Sequence, residues 1–179
     1  FICRECKNVT FRGFTIEGDP DARRRPAEAP PDETDLREYY SGNGIMIEGG
    51  QGVTIRDVAF KEISGLAILT SFDKKTTIEN NELADSGTRN GKGFNTGAGG
   101  IAITEGSDGF RIAGNTFRRI YGNGILVYSL ARAERSQNGV IEDNRFENIS
   151  RDAVLLSRAY KIMVRKNTAK MIGFPADTV

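Results

Sequence analysis

Apolar and polar positions recur along the chain in one pattern. Six segments read apolar-x-x-(Asn or apolar)-x-apolar: Phe11-Arg-Gly-Phe14-Thr-Ile16, Ile55-Arg-Asp-Val58-Ala-Phe60, Ile78-Glu-Asn-Asn81-Glu-Leu83, Ile112-Ala-Gly-Asn115-Thr-Phe117, Ile141-Glu-Asp-Asn144-Arg-Phe146 and Val164-Arg-Lys-Asn167-Thr-Ala169. Their fourth positions stand at 14, 58, 81, 115, 144 and 167, in steps of 44, 23, 34, 29 and 23. A base step of 23 occurs twice, and the other steps are that base plus insertions of 21, 11 and 6 residues. A second segment precedes each of the last five: Gly44-Ile-Met-Ile47, Gly65-Leu-Ala-Ile68, Gly100-Ile-Ala-Ile103, Gly124-Ile-Leu-Val127 and Ala153-Val-Leu-Leu156. Each repeat thus holds three short strand-like pieces: Gly-Ile-x-Ile, a second such as Val53-Thr-Ile-Arg56, and a third such as Asn115-Thr-Phe117.

A strand buried on one face alternates in and out. Ile45 and Ile47, Ile101 and Ile103, and Ile125 and Val127 are expected inside, as are Phe60, Leu83, Phe117 and Phe146 on the third strand. Thr54, Arg56, Thr77, Glu79, Met163 and Arg165 are expected outside on the second. Asn81, Asn115, Asn144 and Asn167 fall at one bend in successive repeats. Asparagine tolerates left-handed backbone there and its amide bonds the next rung, an asparagine ladder. Phe14 and Val58 take that place in the first two repeats. These expectations describe an all-β chain: a right-handed parallel β-helix of about six coils, each with three short strands. Leucine-rich repeats need longer amphipathic helices, and antiparallel hairpins do not explain equivalent positions at a 23-residue base.

The chain reads as one domain over residues 1–179, with loop insertions at 19–41, 87–99 and 129–138 that all border the first sheet. Phe1-Ile-Cys3 and Val9-Thr-Phe11 match Ile45-Met-Ile47 and Val53-Thr-Ile55 at the same spacing, so the sequence starts inside a strand already in the stack. It shows no capping helix, and it reads as a section of a longer protein whose open ends meet the rest of the chain or a stacked subunit.

The succession Gly-Ile-x-Ile, then Val-x-Ile-x-x-Asn-x-Phe, resembles the parallel β-helix repeats of the pectate-lyase-like superfamily over nearly the whole chain. That group includes polysaccharide lyases, glycosidases, alginate epimerases and phage tailspikes. The resemblance implies a secreted, periplasmic or cell-surface protein with its site on the outer face of the first sheet. It is specific for fold and not for activity, because one fold hosts many activities.

Composition then narrows the chemistry. The 179 residues include 25 Lys+Arg and 24 Asp+Glu, a formal charge of +1, which points to neither nucleic acid nor a membrane as partner. No apolar run approaches the roughly 20 residues of a membrane span. Histidine and tryptophan are both absent, so no base or metal ligand of this chain is a histidine. Cys3 and Cys6 form a lone C-x-x-C without a second pair, read as one core and one turn cysteine.

The outward residues of the first sheet read Met46, Ala67, Ala102, Leu126, Leu155 in one row and Glu48, Leu69, Thr104, Tyr128, Ser157 in another. The first row is apolar enough to be covered by an insertion or a neighbour. The second suits a groove. Chemistry at a uronic acid needs a cation for the carboxylate and a base for the adjacent proton, and Arg, Lys and Tyr supply these without histidine. The candidates are Tyr128, Arg132 and Lys74 for catalysis and Glu48, Arg37, Tyr40, Arg89 and Thr104 for binding. Asp19-Pro20-Asp21 lacks the histidine of an epimerase signature, and Arg165-Lys166 is not the Arg-x-Lys of polygalacturonases. No cofactor motif is present. Calcium is the ion that Asp73, Glu105 and Asp108, on turns after the first sheet, would suit. The leading expectation is a protein that binds an acidic polysaccharide along the first sheet, with lyase or epimerase chemistry at a uronate. A non-catalytic adhesion module or tailspike-like stalk is the alternative, and a glycoside hydrolase stands third because two facing carboxylates are not evident.

Overall fold

The structure, a computed structural model, describes residues 1–25, 27–88 and 98–173. Its strands form three parallel sheets of six, one strand per coil in each. The first sheet holds Ile2–Arg4, Ile45–Glu48, Leu66–Ser71, Gly99–Thr104, Ile125–Tyr128 and Val154–Ser157, in chain order from coil 1 to coil 6. The second and third sheets follow the same order, from Thr10–Arg12 to Met163–Arg165 and from Thr15–Glu17 to Thr168–Ile172. Ser136–Gln137 and Ala159–Tyr160 add a two-stranded parallel pair beside coils 5 and 6.

The core is the stack of inward side chains. Ile45, Ile68, Ile101 and Ile125 stand in register on the first sheet, Ile55, Ile78, Ile112 and Ile141 on the second, and Phe60, Leu83, Phe117 and Phe146 on the third. All are buried. The Phe117 and Phe146 rings stack at 4.7 Å between centroids. Cys3 joins this core, and a disulfide links it to Cys6, a pairing its spacing alone did not establish. The glycine that opens the Gly-Ile-x-Ile motif has a steric cause. A Cβ at Gly100 would lie 1.9 Å from the Gly124 carbonyl oxygen, and one at Gly124 2.7 Å from that of Ala153.

The asparagine ladder continues through coils 3 to 6. Asn115 Nδ2 donates to the Ile78 carbonyl (3.0 Å) and to Asn144 Oδ1 (3.0 Å), while its backbone N–H donates to the same Oδ1 (2.9 Å). Asn81 and Asn144 repeat this arrangement, and Asn81 Oδ1 accepts from Val58 N–H at the top. Each buried amide therefore satisfies main-chain groups of a neighbouring coil, where an unpaired polar group would be costly. One expectation needs correction. The left-handed residue at this bend is the one before the ladder: Gly13, Asp57, Asn80, Gly114, Asp143 and Lys166 have φ of +53° to +73°. The ladder asparagine serves by its amide and its backbone N–H, without left-handed backbone.

The first sheet corrects the register in coil 3. Ile45 pairs with Ile68 and Glu48 with Ser71, two residues later than an alignment of Gly44 with Gly65 gives. The reason is arc length. Coils 2 and 3 differ by the bare 23-residue step, as Val58 and Asn81 already indicate, and parallel stacking holds all three sheets to the same step where no loop intervenes. The outward rows therefore read Met46, Leu69, Ala102, Leu126, Leu155 and Glu48, Ser71, Thr104, Tyr128, Ser157. Ala67 packs in the core instead of facing out.

Candidate functional site

The segment entering coil 2 folds back over the outer face of the first sheet. It contains two short helices, α1 (Pro20–Arg24) and α2 (Leu36–Tyr39). Asp19 and Asp35 cap them, each accepting at 2.9 Å from the backbone N–H two residues on. Arg23 on α1 pairs with Glu62 and lies over the Tyr121 ring at 5.1 Å. Leu36 and Tyr40 bury against Leu66, Leu69, Ala98 and Ala102, with Met46, Leu126 and Tyr128 at the margin. The apolar row of the first sheet is thus the seat of this insertion.

At the start of α2 a polar cluster closes the cover. Arg37 Nε donates to both Asp35 oxygens (2.9 and 3.2 Å), Nη1 donates to Glu48, and the guanidinium stands 5.0 Å from the Phe72 ring centre. The hydrogen bond from Arg37 holds the Asp35 carboxyl below the usual range, and the same bond raises the Arg37 value. Glu48 also accepts from Arg4 Nε (3.2 Å). Arg37 and Glu48 are therefore committed to each other, and meeting a ligand would require breaking that pair. Glu105 is buried beside this cluster, accepting from Ser71 Oγ (3.1 Å), and burial raises its pKa. Thr104 is fully buried, its Oγ1 donating to the Thr70 carbonyl (2.9 Å). The outward register is right for Thr104, but no ligand reaches it.

Asp73 is also buried, in the turn that follows the first-sheet strand of coil 3. Gly50 N–H donates to its Oδ1 (2.6 Å), and burial pushes its pKa up to about 7. Asp108 accepts from Asn138 Nδ2 (2.8 Å). Among the described residues no three acidic side chains converge as a metal site would need.

A cleft stays open over coils 5 and 6, enclosing about 250 Å³ between residues 29–36 and the sheet. Leu126 and Leu155 lie on its sheet side, with Tyr128 and Ser157 at the strand ends and Asn123 and Arg151 at the strand starts. Glu33 ties the covering segment to this end: it accepts from Ala131 N–H (2.6 Å) and pairs with Arg158 (3.4 Å). Burial raises the Tyr128 pKa, and the charges of Glu33 and Glu105 raise it further. The phenol therefore keeps its proton at neutral pH and acts as a hydrogen-bond donor, not as a ready base.

The expected site residues do not gather at one point. Tyr128 and Tyr40 line the cleft, Tyr40 as a largely buried wall. Arg132 is exposed on the loop after Tyr128, and the arginine whose charge acts on Tyr128 is Arg158. Lys74 is exposed in the turn between the first and second strands of coil 3, with coil 4 between it and the strand of Tyr128. Arg89 lies outside the described residues, as does most of the 87–99 insertion. Arg151 and Asn123 were not among the expected residues. A signal for Asn123 does exist: Gly42-Asn-Gly-Ile45 recurs as Gly122-Asn-Gly-Ile125. In both copies the asparagine Oδ1 accepts from a backbone N–H of the next coil, Leu66 (2.8 Å) and Asp152 (3.3 Å).

Arginines also divide by partner. Arg4, Arg23, Arg37, Arg111, Arg119, Arg158 and Arg165 each pair with a carboxylate. Arg25, Arg132, Arg135 and Arg151 have no carboxylate partner among the described residues.

No curated protein and no solved structure shows significant similarity to the chain. One family model does match, described as a right-handed beta helix region, over residues 1–175. With three parallel sheets stacked coil upon coil beneath that match, the chain belongs to the right-handed β-helix family.

Proposed function

We propose that the chain binds an acidic polysaccharide in the cleft over coils 5 and 6. The observation that carries this reading is Arg151, a guanidinium at the cleft with no carboxylate of the described residues to satisfy it. A planar guanidinium matches a carboxylate in two parallel hydrogen bonds. Leu126 and Leu155 offer an apolar surface to the carbon face of a sugar ring. Tyr128 and Ser157 offer polar groups to its hydroxyls.

Lyase or epimerase chemistry at the uronate would add a base that removes the proton beside the carboxylate. Tyr128 in its protonated state suits donation better than abstraction, so binding leads and chemistry follows as the second reading. The test is incubation with alginate, pectate and glycosaminoglycans in deuterated water. Binding is read by affinity electrophoresis and C5 deuteration by NMR. Retention of one polymer is expected, weakened about tenfold by Arg151→Gln, as loss of a charge-assisted pair implies. Failure to retain any of the polymers would overturn the reading. Deuterium in recovered polymer would add epimerase chemistry, and an unsaturated sugar end would add a lyase.

A further inference from the structure

We infer that the chain grips its polymer at two subsites, the second being a cleft on the other side of Tyr40 with Arg25 as its anion receptor. This rests on the binding reading above and extends it. The second cleft encloses about 300 Å³ and lies between the two helices of the insertion and the start of the first sheet. Its sheet side is Ser41–Gly42 before the coil 2 strand and Ser64–Gly65 before the coil 3 strand. Tyr40 lines both clefts. One stretch of chain walls them in turn, Ala27 and Glu28 at the second and Ala29 to Pro31 at the first.

Two features make the second cleft a match for the first. Arg25 is exposed there and, like Arg151, has no carboxylate partner among the described residues. Its neighbours Arg23 and Arg24 are paired with Glu62 and Asp21, so the one arginine of the three left unsatisfied is the one at the cleft. The second feature is rigidity. Tyr39 lines this cleft, and its hydroxyl donates to the Glu28 carbonyl (2.7 Å), bracing the wall. The Glu28 side chain is exposed at this cleft as well, and its charge opposes an anion there.

The two clefts follow the strand starts of one sheet, at coils 2 and 3 and at coils 5 and 6. Three coil steps of about 4.8 Å separate them, about 14 Å along the helix axis. A linear polyanion lying along that edge meets both arginines, and linked subsites bind a long chain more tightly than either binds a short one.

The experiment titrates the chain with galacturonate and mannuronate oligomers of two and of eight sugars by calorimetry, using Arg25→Gln, Arg151→Gln and Arg24→Gln. For the polymer type that binds, two disaccharides per chain and one octasaccharide are expected. Arg25→Gln should remove one disaccharide and weaken the octasaccharide about tenfold or more. Arg24→Gln should do neither. If Arg151→Gln weakens binding while Arg25→Gln changes neither stoichiometry nor octasaccharide affinity, the second subsite is wrong and the first reading stands. An equal loss with Arg24→Gln would reduce the effect to general surface charge and overturn the inference. Absence of binding to every oligomer would remove the first reading, and this one with it.

Discussion

The second sheet and the first sheet are built on the same coil and meet solvent in opposite ways. On the second sheet charges satisfy one another across the coils: Arg111 reaches Glu79 (3.1 Å) and Glu142 (3.0 Å), and Arg165 reaches Glu142 (2.8 Å). On the first sheet the corresponding surface is an apolar row that the insertion covers as far as coil 4, beyond which a cleft opens. A face whose charges close on themselves has little left for a partner. A face that combines apolar floor, a covering segment and guanidinium groups with no carboxylate partner among the described residues has the means to hold one. The repeat supplies the frame, and the departures from the repeat supply the candidate site.

Three experiments would break or sharpen that contrast. The largest effect is expected in the frame. Phe117→Ala leaves a cavity beside Phe146 in the buried stack and should cost about 3–5 kcal/mol in urea unfolding. A loss below about 1 kcal/mol would place Phe117 outside the core. Leu36→Ala makes the same kind of truncation in the cover, where about 2–4 kcal/mol is expected to fall on the insertion and not on the coils. Limited proteolysis should then cut within residues 19–41 while the main unfolding transition stays in place. A matching fall in that transition would show that the cover and the frame are one cooperative unit.

The third experiment separates two buried carboxyls by pH. Hydrogen bonds from Arg165 and then Arg111 hold Glu142 below its ordinary value, whereas burial lifts Asp73 to about 7. The folded chain thus holds the Asp73 proton more tightly than the unfolded chain, whose value is near 3.8. Its contribution to stability is greatest below that value, declines as pH rises toward 7, and is level above. Glu142 acts the other way, contributing above its unfolded value and losing that contribution as pH falls through its folded one. Asp73→Asn keeps an oxygen for Gly50 N–H and removes the titration. Its stability relative to the parent should therefore rise by up to about 1.4 kcal/mol per pH unit across that window. A constant difference between about pH 5 and about pH 8 would mean that Asp73 ionises without cost.

Much of the frame was legible in the residue order. A repeat of apolar positions at a 23-residue base demands parallel stacking, because equivalent residues can share a core only when successive coils lie in register. Asn81, Asn115, Asn144 and Asn167 announced their own column for the same reason. The coil 3 strand was misread by two residues because Gly65 resembles Gly44 locally, and local likeness carries no arc length. The apolar row likewise announced that something covers it, without saying what. Which segment covers it, and which arginines find a carboxylate, depended on where residues 19–41 land. Leu36 and Tyr40 meet Leu69 and Ala102 from far along the chain, and Arg37 is spent on Asp35 and Glu48 while Arg25 and Arg151 are not. The sequence by itself determined the solenoid, since a periodic core is a property of spacing. The candidate site emerges only from the folded arrangement, since an insertion has no period and its partners are chosen by packing and charge once the frame exists.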